Sequence, residues 1–273
     1  MTSLADQGLA QLGGRSSVLS RQKRDHVRLD ELLEQLSRAP AADQKRVLLR
    51  IYRLVFPHAF AEESVLWPTI RRVLPDGEPL TLQVEREHQE INELVMRLES
   101  LAPGSTDWDV ALTQVVALLR QDVRDEEDVL LPRLQRKLTP GQLRRLGFTW
   151  EAVRRVAPTR AHPFVARRPP GNVLSALPLS IIDRVRDVLD ALAYRGGRAD
   201  VGALSTLSDA LGRAAHVLER TPGLGAGEHP STRRRSGTRW LGVAMIALVA
   251  GSAAMVAVRR RRLAAEAATA AGR

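Results

Sequence analysis

Apolar residues recur every three to four positions through the first 156 residues, the repeat of helices with one buried face. The spacing predicts four long helices, at about Val18–Arg38, Asp43–Trp67, Thr81–Leu101 and Asp107–Lys137. In the second, Val47, Leu48, Ile51, Leu54 and Val55 make the apolar stripe. Pro40, Leu74-Pro75-Asp76-Gly77 and Ala102-Pro103-Gly104-Ser105 supply the breaks between helices. Pro57 and Pro68 fall within the second run and predict a kink or a local adjustment there. Thr139 is placed to cap a shorter fifth helix, Gln142 to about Val156, which follows Pro140-Gly141. Its Leu143, Leu146, Phe148 and Trp150 are positioned to close one end of a bundle.

The pattern then changes. Residues 157–180 read as a linker rich in Pro and Arg, and Arg167-Arg168-Pro169-Pro170-Gly171-Asn172 interrupts helical structure. Helical spacing returns at Leu179–Tyr194 and again over 200–220, which predicts a helical hairpin at 179–220 that buries its own leucines, docks on the bundle or a partner, or lies on a membrane surface. Residues 221–239 are rich in Gly, Pro and Arg. Trp240–Val258 carries no charge over 19 residues, and arginines crowd both of its ends. A helix of that length rises about 28 Å, which predicts one C-terminal transmembrane helix at 240–258 and a basic tail at 259–273. The start of the chain shows no secretory signal, so the expected orientation leaves the polar N-terminal part facing the cytoplasm.

Composition narrows the chemistry. There is no cysteine, which excludes disulfides, zinc–thiolate sites, iron–sulfur clusters and thiol nucleophiles. The net charge of +10 belongs wholly to the C-terminal part, since residues 1–159 hold 23 basic and 23 acidic residues. The helical region is therefore neutral, and it lacks the basic face and stacking aromatics of a nucleic-acid binder.

A duplicated pattern of ligand-type side chains runs through the four helices. His58-Ala-Phe-Ala-Glu62-Glu63-Ser-Val-Leu66-Trp67-Pro68 has an echo in Asp122-Val-Arg-Asp-Glu126-Glu127-Asp-Val-Leu130-Leu131-Pro132. Upstream of each, Asp25-His26-Val-Arg-Leu29-Asp30-Glu31-Leu32 matches Glu87-His88-Gln-Glu-Ile91-Asn92-Glu93-Leu94. A four-residue step sets two side chains on one helix face. The successive intervals, His26 to His58, His58 to His88 and His88 to Asp122, are 32, 30 and 34 residues, so antiparallel helices return these groups to one level.

In these residues the chain resembles the hemerythrin-like HHE cation-binding family, from about Arg21 to about Leu138. The resemblance implies an all-α fold: a hemerythrin-like up-down four-helix bundle at 18–138, closed by the short helix at 139–156 and followed by the linker region 157–239 and the transmembrane helix. It also implies a non-haem di-iron centre. The metal ligands would be His26 on the first helix, His58 and Glu62 on the second, His88 on the third and Glu126 on the fourth, with Glu62 and Glu126 bridging. Two positions depart from the family pattern. Asp122 stands where the fourth-helix His is usual, and Asn92 where oxygen carriers have a further His.

Three imidazoles and three carboxylates suit iron. The added anion at Asp122 favours the oxidised metal and moves the centre away from a reversible oxygen carrier. Asp122 itself is expected to bind the metal directly, through water, or not at all, leaving a position open to an exogenous ligand. Glu63, Asp125, Glu127 and Asp128 read as a solvated face. Asp30 and Asn92 read as bundle-edge residues or as partners that orient an imidazole, and Tyr52 is unassigned. The expected task is sensing or handling dioxygen, nitric oxide, peroxide or iron at a membrane. A peroxide-consuming enzyme and a metal-free bundle acting as an interaction module are the alternatives.

Overall fold

The computed structural model describes residues 2–195, 198–221 and 223–233. These residues are helical, with no strand among them. Four antiparallel rods form the bundle. Helix α1 is Val18–Arg38, and the second rod runs through α2 (Ala41–Ala61), a π-helical turn (Glu62–Leu66) and α3 (Trp67–Val73). Helix α4 is Gly77–Glu99, and the fourth rod runs through α5 (Thr106–Asp125), a second π-helical turn (Glu126–Leu130) and α6 (Leu131–Gln135). Ser17 caps α1 by accepting from the Leu19 N–H, and Ser105 caps α5 by accepting from the Trp108 N–H.

The two π turns sit at equivalent places in the repeat. In each, a backbone bond skips one residue more than in an α-helix: Trp67 N–H donates to Glu62 O, and Leu131 N–H to Glu126 O. The cause is the proline one position later. Pro68 and Pro132 have no N–H, and in an unbroken α-helix their rings would collide with the carbonyls of Ser64 and Asp128. Widening the turn relieves that collision. Pro57 lies inside α2 without ending it.

The core divides into two apolar clusters. One holds Leu29, Leu33, Phe56, Ile91 and Leu119; the other holds Leu19, Ala61, Leu66, Val84 and Leu130. On every rod the ligand-type residue falls between the two clusters in sequence: His26, His58, His88 and Glu126. A polar layer is thus enclosed between two hydrophobic ones.

Helix α7 (Pro140–Val156) begins with a reciprocal cap between Thr139 and Gln142 and packs across α1 and α2. Gly147 makes the crossing tight: a Cβ there would lie 2.1 Å from Ser16 O and 2.8 Å from Val18 N. Leu143 and Trp150 are buried as expected, but Phe148 is 61% exposed and does not close the bundle.

Residues 157–170 are the non-helical first part of the expected linker. They form a strap laid on the bundle, in which Arg160, His162, Val165 and Arg167 are buried. Arg168 is paired with buried Glu85 at 2.7 Å, and Gln89 of α4 donates to Pro163 O at 2.9 Å. Helix α8 (Gly171–Arg195) starts before the apolar stripe that predicted it and carries Pro178 inside. With α9 (Arg198–Leu218) it forms the hairpin, which docks on α2 through the Arg53–Asp187 ion pair at 2.9 Å. The hairpin buries Leu179 and Ala215, yet Leu174, Leu177, Ile181 and Val188 of α8 stay exposed. Among the described residues no helix is long and apolar enough to cross a membrane. The expected transmembrane helix at 240–258 lies outside the described residues.

Candidate metal centre

All six predicted ligand residues come together in the polar layer. Two groups of donor atoms form there, His26–His58–Glu62–Glu126 and His88–Asp122–Glu126, each with the reach to hold a metal ion. Glu126 belongs to both. In the first group His58 Nε2 is 3.0 Å from Glu62 Oε1 and His26 Nε2 is 3.2 Å from Glu126 Oε2. In the second, His88 Nε2 lies 3.4 Å from Asp122 Oδ1 and 4.0 Å from Glu126 Oε1. His88 Nε2 also comes within 3.8 Å of Glu62 Oε2, so Glu62 faces both groups. Asp122 is the half-buried member at the edge of this layer.

Each imidazole turns its other nitrogen outward to a carboxylate. The Nδ1 of His26 meets Glu127 Oε1 at 2.8 Å, that of His58 meets Asp25 Oδ2 at 3.4 Å, and that of His88 meets Glu63 Oε1 at 2.9 Å. This fixes the ring direction and leaves Nε2 facing inward. Glu63 and Glu127 are therefore buried partners and not the solvated face their sequence position suggested. Asp25 was not anticipated at all. Asp30 is exposed. Asn92 is buried, but it holds backbone: its Nδ2 donates to His88 O at 2.8 Å and its Oδ1 accepts from His162 N at 2.9 Å.

The inward atoms are left without hydrogen bonds. Both oxygens of Glu62, Glu126 Oε1, Asp122 Oδ1 and His88 Nε2 are buried and make no hydrogen bond, their nearest charged neighbours being the other donors of the layer. An unsatisfied buried polar atom is costly, and a cluster of them facing one another is an arrangement that a cation would stabilise. His26 Nε2 and His58 Nε2 stand 3.3 Å apart. With neutral rings whose Nδ1–H groups point outward, the two lone pairs would face each other, and a proton or a metal between them relieves the repulsion.

The electrostatics agree. Burial opposes charge on His26, but Glu126 and Glu127 outweigh it and raise its pKa to about 9. Burial likewise opposes charge on His58, while Glu62 and Asp25 carry it to about 10. His88 is held well above the ordinary imidazole range by Asp122 and Glu63, again against burial. Burial, with the neighbouring charges of Glu62 and Asp122, pushes Glu126 up to about 8. Glu62 goes the other way: three imidazoles overcome its burial and hold it below the usual carboxylate range. The layer is built to bind positive charge, and a metal must displace protons to enter it.

Trp150 meets His58 edge-on with ring centroids 5.3 Å apart, and Trp67 stacks on His88 at 6.3 Å. A cavity of about 30 Å³ opens beside the donors, walled by Leu29, Val55, Phe56, Ile91, Leu119 and Val123. It has room for a water or a diatomic molecule.

Comparison with known proteins meets this geometry. Residues 17–134 match the hemerythrin HHE cation binding domain. An uncharacterized hemerythrin-like protein of Schizosaccharomyces pombe is 24% identical over 134 residues, which cover 49% of this chain and 66% of that protein. A DNA nickase of Nostoc sp. is 23% identical over 131 residues, covering 48% of this chain and 37% of that protein. The matches thus span about two thirds or less of either relative. No solved structure matches the chain.

Proposed function

Starting from a hemerythrin HHE cation-binding domain at residues 17–134, we propose that this chain is a non-haem di-iron protein that handles a small oxidant: dioxygen, nitric oxide or peroxide. The observation that carries the reading is the set of buried, inward-facing atoms without hydrogen bonds on Glu62, His88, Asp122 and Glu126, behind which the outer imidazole nitrogens are already satisfied. In this reading His26, His58, Glu62, His88, Asp122 and Glu126 hold two ions, with Glu126 shared between them. Paired iron ions supply redox equivalents and a coordination position for a small ligand.

The protein's own groups set the limits of that chemistry. The small cavity beside the donors suits a diatomic molecule or a peroxide. Asp122 replaces a neutral donor by an anion, so oxidised metal is favoured and a cycling oxygen adduct is disfavoured. The activity of the Nostoc relative is not carried over, since the shared segment is little more than a third of that protein. In the same reading the apolar segment 240–258 anchors the chain in a membrane with the bundle on the cytoplasmic side, and this rests on the sequence alone.

Metal analysis of the full chain loaded anaerobically with ferrous iron tests the proposal. About two ions per chain are expected, and Glu126→Ala should lose both together because one carboxylate serves both groups. Wild-type protein that retains no stoichiometric iron would establish the metal-free bundle instead. Sustained turnover of added peroxide, abolished in His58→Ala, would make the chain an enzyme.

A further inference from the structure

We propose that Arg154 and Arg167 are positioning residues of the metal centre, each fixing one ligand imidazole through the carboxylate that lies between them. The inference rests on the metal-binding reading above and goes beyond it, because both arginines lie outside residues 17–134, where the domain match ends.

The same three-part chain occurs twice. On one side Arg154 Nη1 is 3.3 Å from Asp25 Oδ2, and the same Asp25 oxygen is 3.4 Å from His58 Nδ1. On the other, Arg167 Nη1 is 3.8 Å from Glu63 Oε1, which is 2.9 Å from His88 Nδ1. One chain ends at a histidine of the first donor group and the other at the histidine of the second. The arginines come from different elements, α7 and the strap, yet they reach equivalent points.

Both guanidinium groups are aimed by contacts of their own. Arg167 is buried, and its Nη2 donates to the carbonyls of His162 at 2.8 Å and Val165 at 3.0 Å. Arg154 lies 5.3 Å over the ring of Trp150 and is paired with Glu151 at 3.3 Å. Trp150 is the residue whose edge meets His58, so one aromatic ring braces both ends of the chain.

The physical reason for such a device is the crowd of anions. Asp25 and Glu63 are buried beside a layer that already holds Glu62, Asp122 and Glu126. A buried carboxylate without a counter-charge is strongly disfavoured, and it would turn away or take up a proton. Either change releases the imidazole from its outward bond, and its Nε2 lone pair no longer points at the metal. A guanidinium behind each carboxylate opposes both changes. Its charge also offsets part of the negative potential at the ions.

The test uses the full chain and ferrous iron or cobalt(II) as the probe, under anaerobic conditions. Arg154→Met, Arg167→Met, the corresponding Lys variants and a surface control, Arg38→Met, are compared for metal stoichiometry, affinity and the midpoint potential of the iron-loaded form. Each Met variant is expected to weaken one of the two ions about tenfold, the lower end of what loss of such support costs. The midpoint potential should fall, because removing a nearby positive charge favours the ferric state. Lys should recover most of the potential and less of the affinity, since it keeps the charge and loses the fork. A purely structural role would lower thermal stability without moving the potential in this direction. If a Met variant does not fold, Arg→Gln at that position carries the same expectations. Variants whose affinity and potential match Arg38→Met, beside wild-type protein that loads two ions, overturn this inference alone. Wild-type protein that binds neither metal overturns the di-iron reading and this inference with it.

Discussion

Asp122 is the proposed ligand at which one substitution separates charge from geometry. Its Oδ1 is buried, without a hydrogen bond and 3.4 Å from His88 Nε2. Asp122→His exchanges an anionic donor for a neutral one at the same place. The variant is expected to keep its iron and to show a higher midpoint potential, because less negative charge disfavours the ferric state. A redox titration of both forms in one buffer decides it, and an unchanged or lower potential would mean that Asp122 does not bind the metal. The six inward residues were legible in the sequence because the repeat set them at matched helical intervals. Their outward partners were not. Glu63 and Glu127 follow a ligand by one position, which on an isolated helix points them sideways to solvent, and only the neighbouring helix buries them against His88 and His26. Asp25 precedes one histidine and serves another, His58 on the next helix, a relation that no spacing along one helix contains.

Among the elements, the helices were readable from their apolar stripes and breaks, and their interruptions only in part. Pro68 announced a disturbance and the matching Pro132 was passed over; the form of both as π turns beginning at Glu62 and Glu126 depends on carbonyls one turn back. How the strap seats was not legible, because a run of prolines and arginines does not show which carboxylates will meet it: Arg167 lies beside buried Glu63 and Arg168 pairs with buried Glu85. Helix α7 is seated by a contact that composition cannot show, the backbone of Gly147 against the start of α1. Gly147→Ala should therefore destabilise the full chain by about 1–3 kcal/mol, the usual cost of forcing atoms into a packed contact. Urea unfolding measures this. Because Trp150 and Arg154 ride on the same helix, the variant should also bind metal more weakly. A Gly147→Ala protein as stable as wild type would show that α7 shifts freely on α1.

For the molecule as a whole, His162 joins the strap to the hairpin. Its Nε2–H donates to Asp183 of α8 at 3.0 Å, and its Nδ1 lies 3.6 Å from Glu219 just past α9. Burial disfavours the charged ring, but the two carboxylates prevail and raise its pKa to about 9 from an ordinary 6.5. A raised pKa stabilises the fold fully below about pH 6.5, and the contribution is lost as pH climbs through about 9. At 1.36 kcal/mol per unit the loss is at most about 3 kcal/mol. Urea midpoints of wild type should decline across that window, and those of His162→Gln should decline less. Equal slopes in the two proteins would remove His162 from the account. The two donor groups have a consequence of their own, because they are unequal. One has four buried donors; the other has three, with Asp122 at its edge. Iron supplied in limiting amounts should settle in the first group before the second. A chain with one lodged ion is then a distinct species, abundant when the metal is scarce, and the less enclosed position becomes the one that fills and empties with supply.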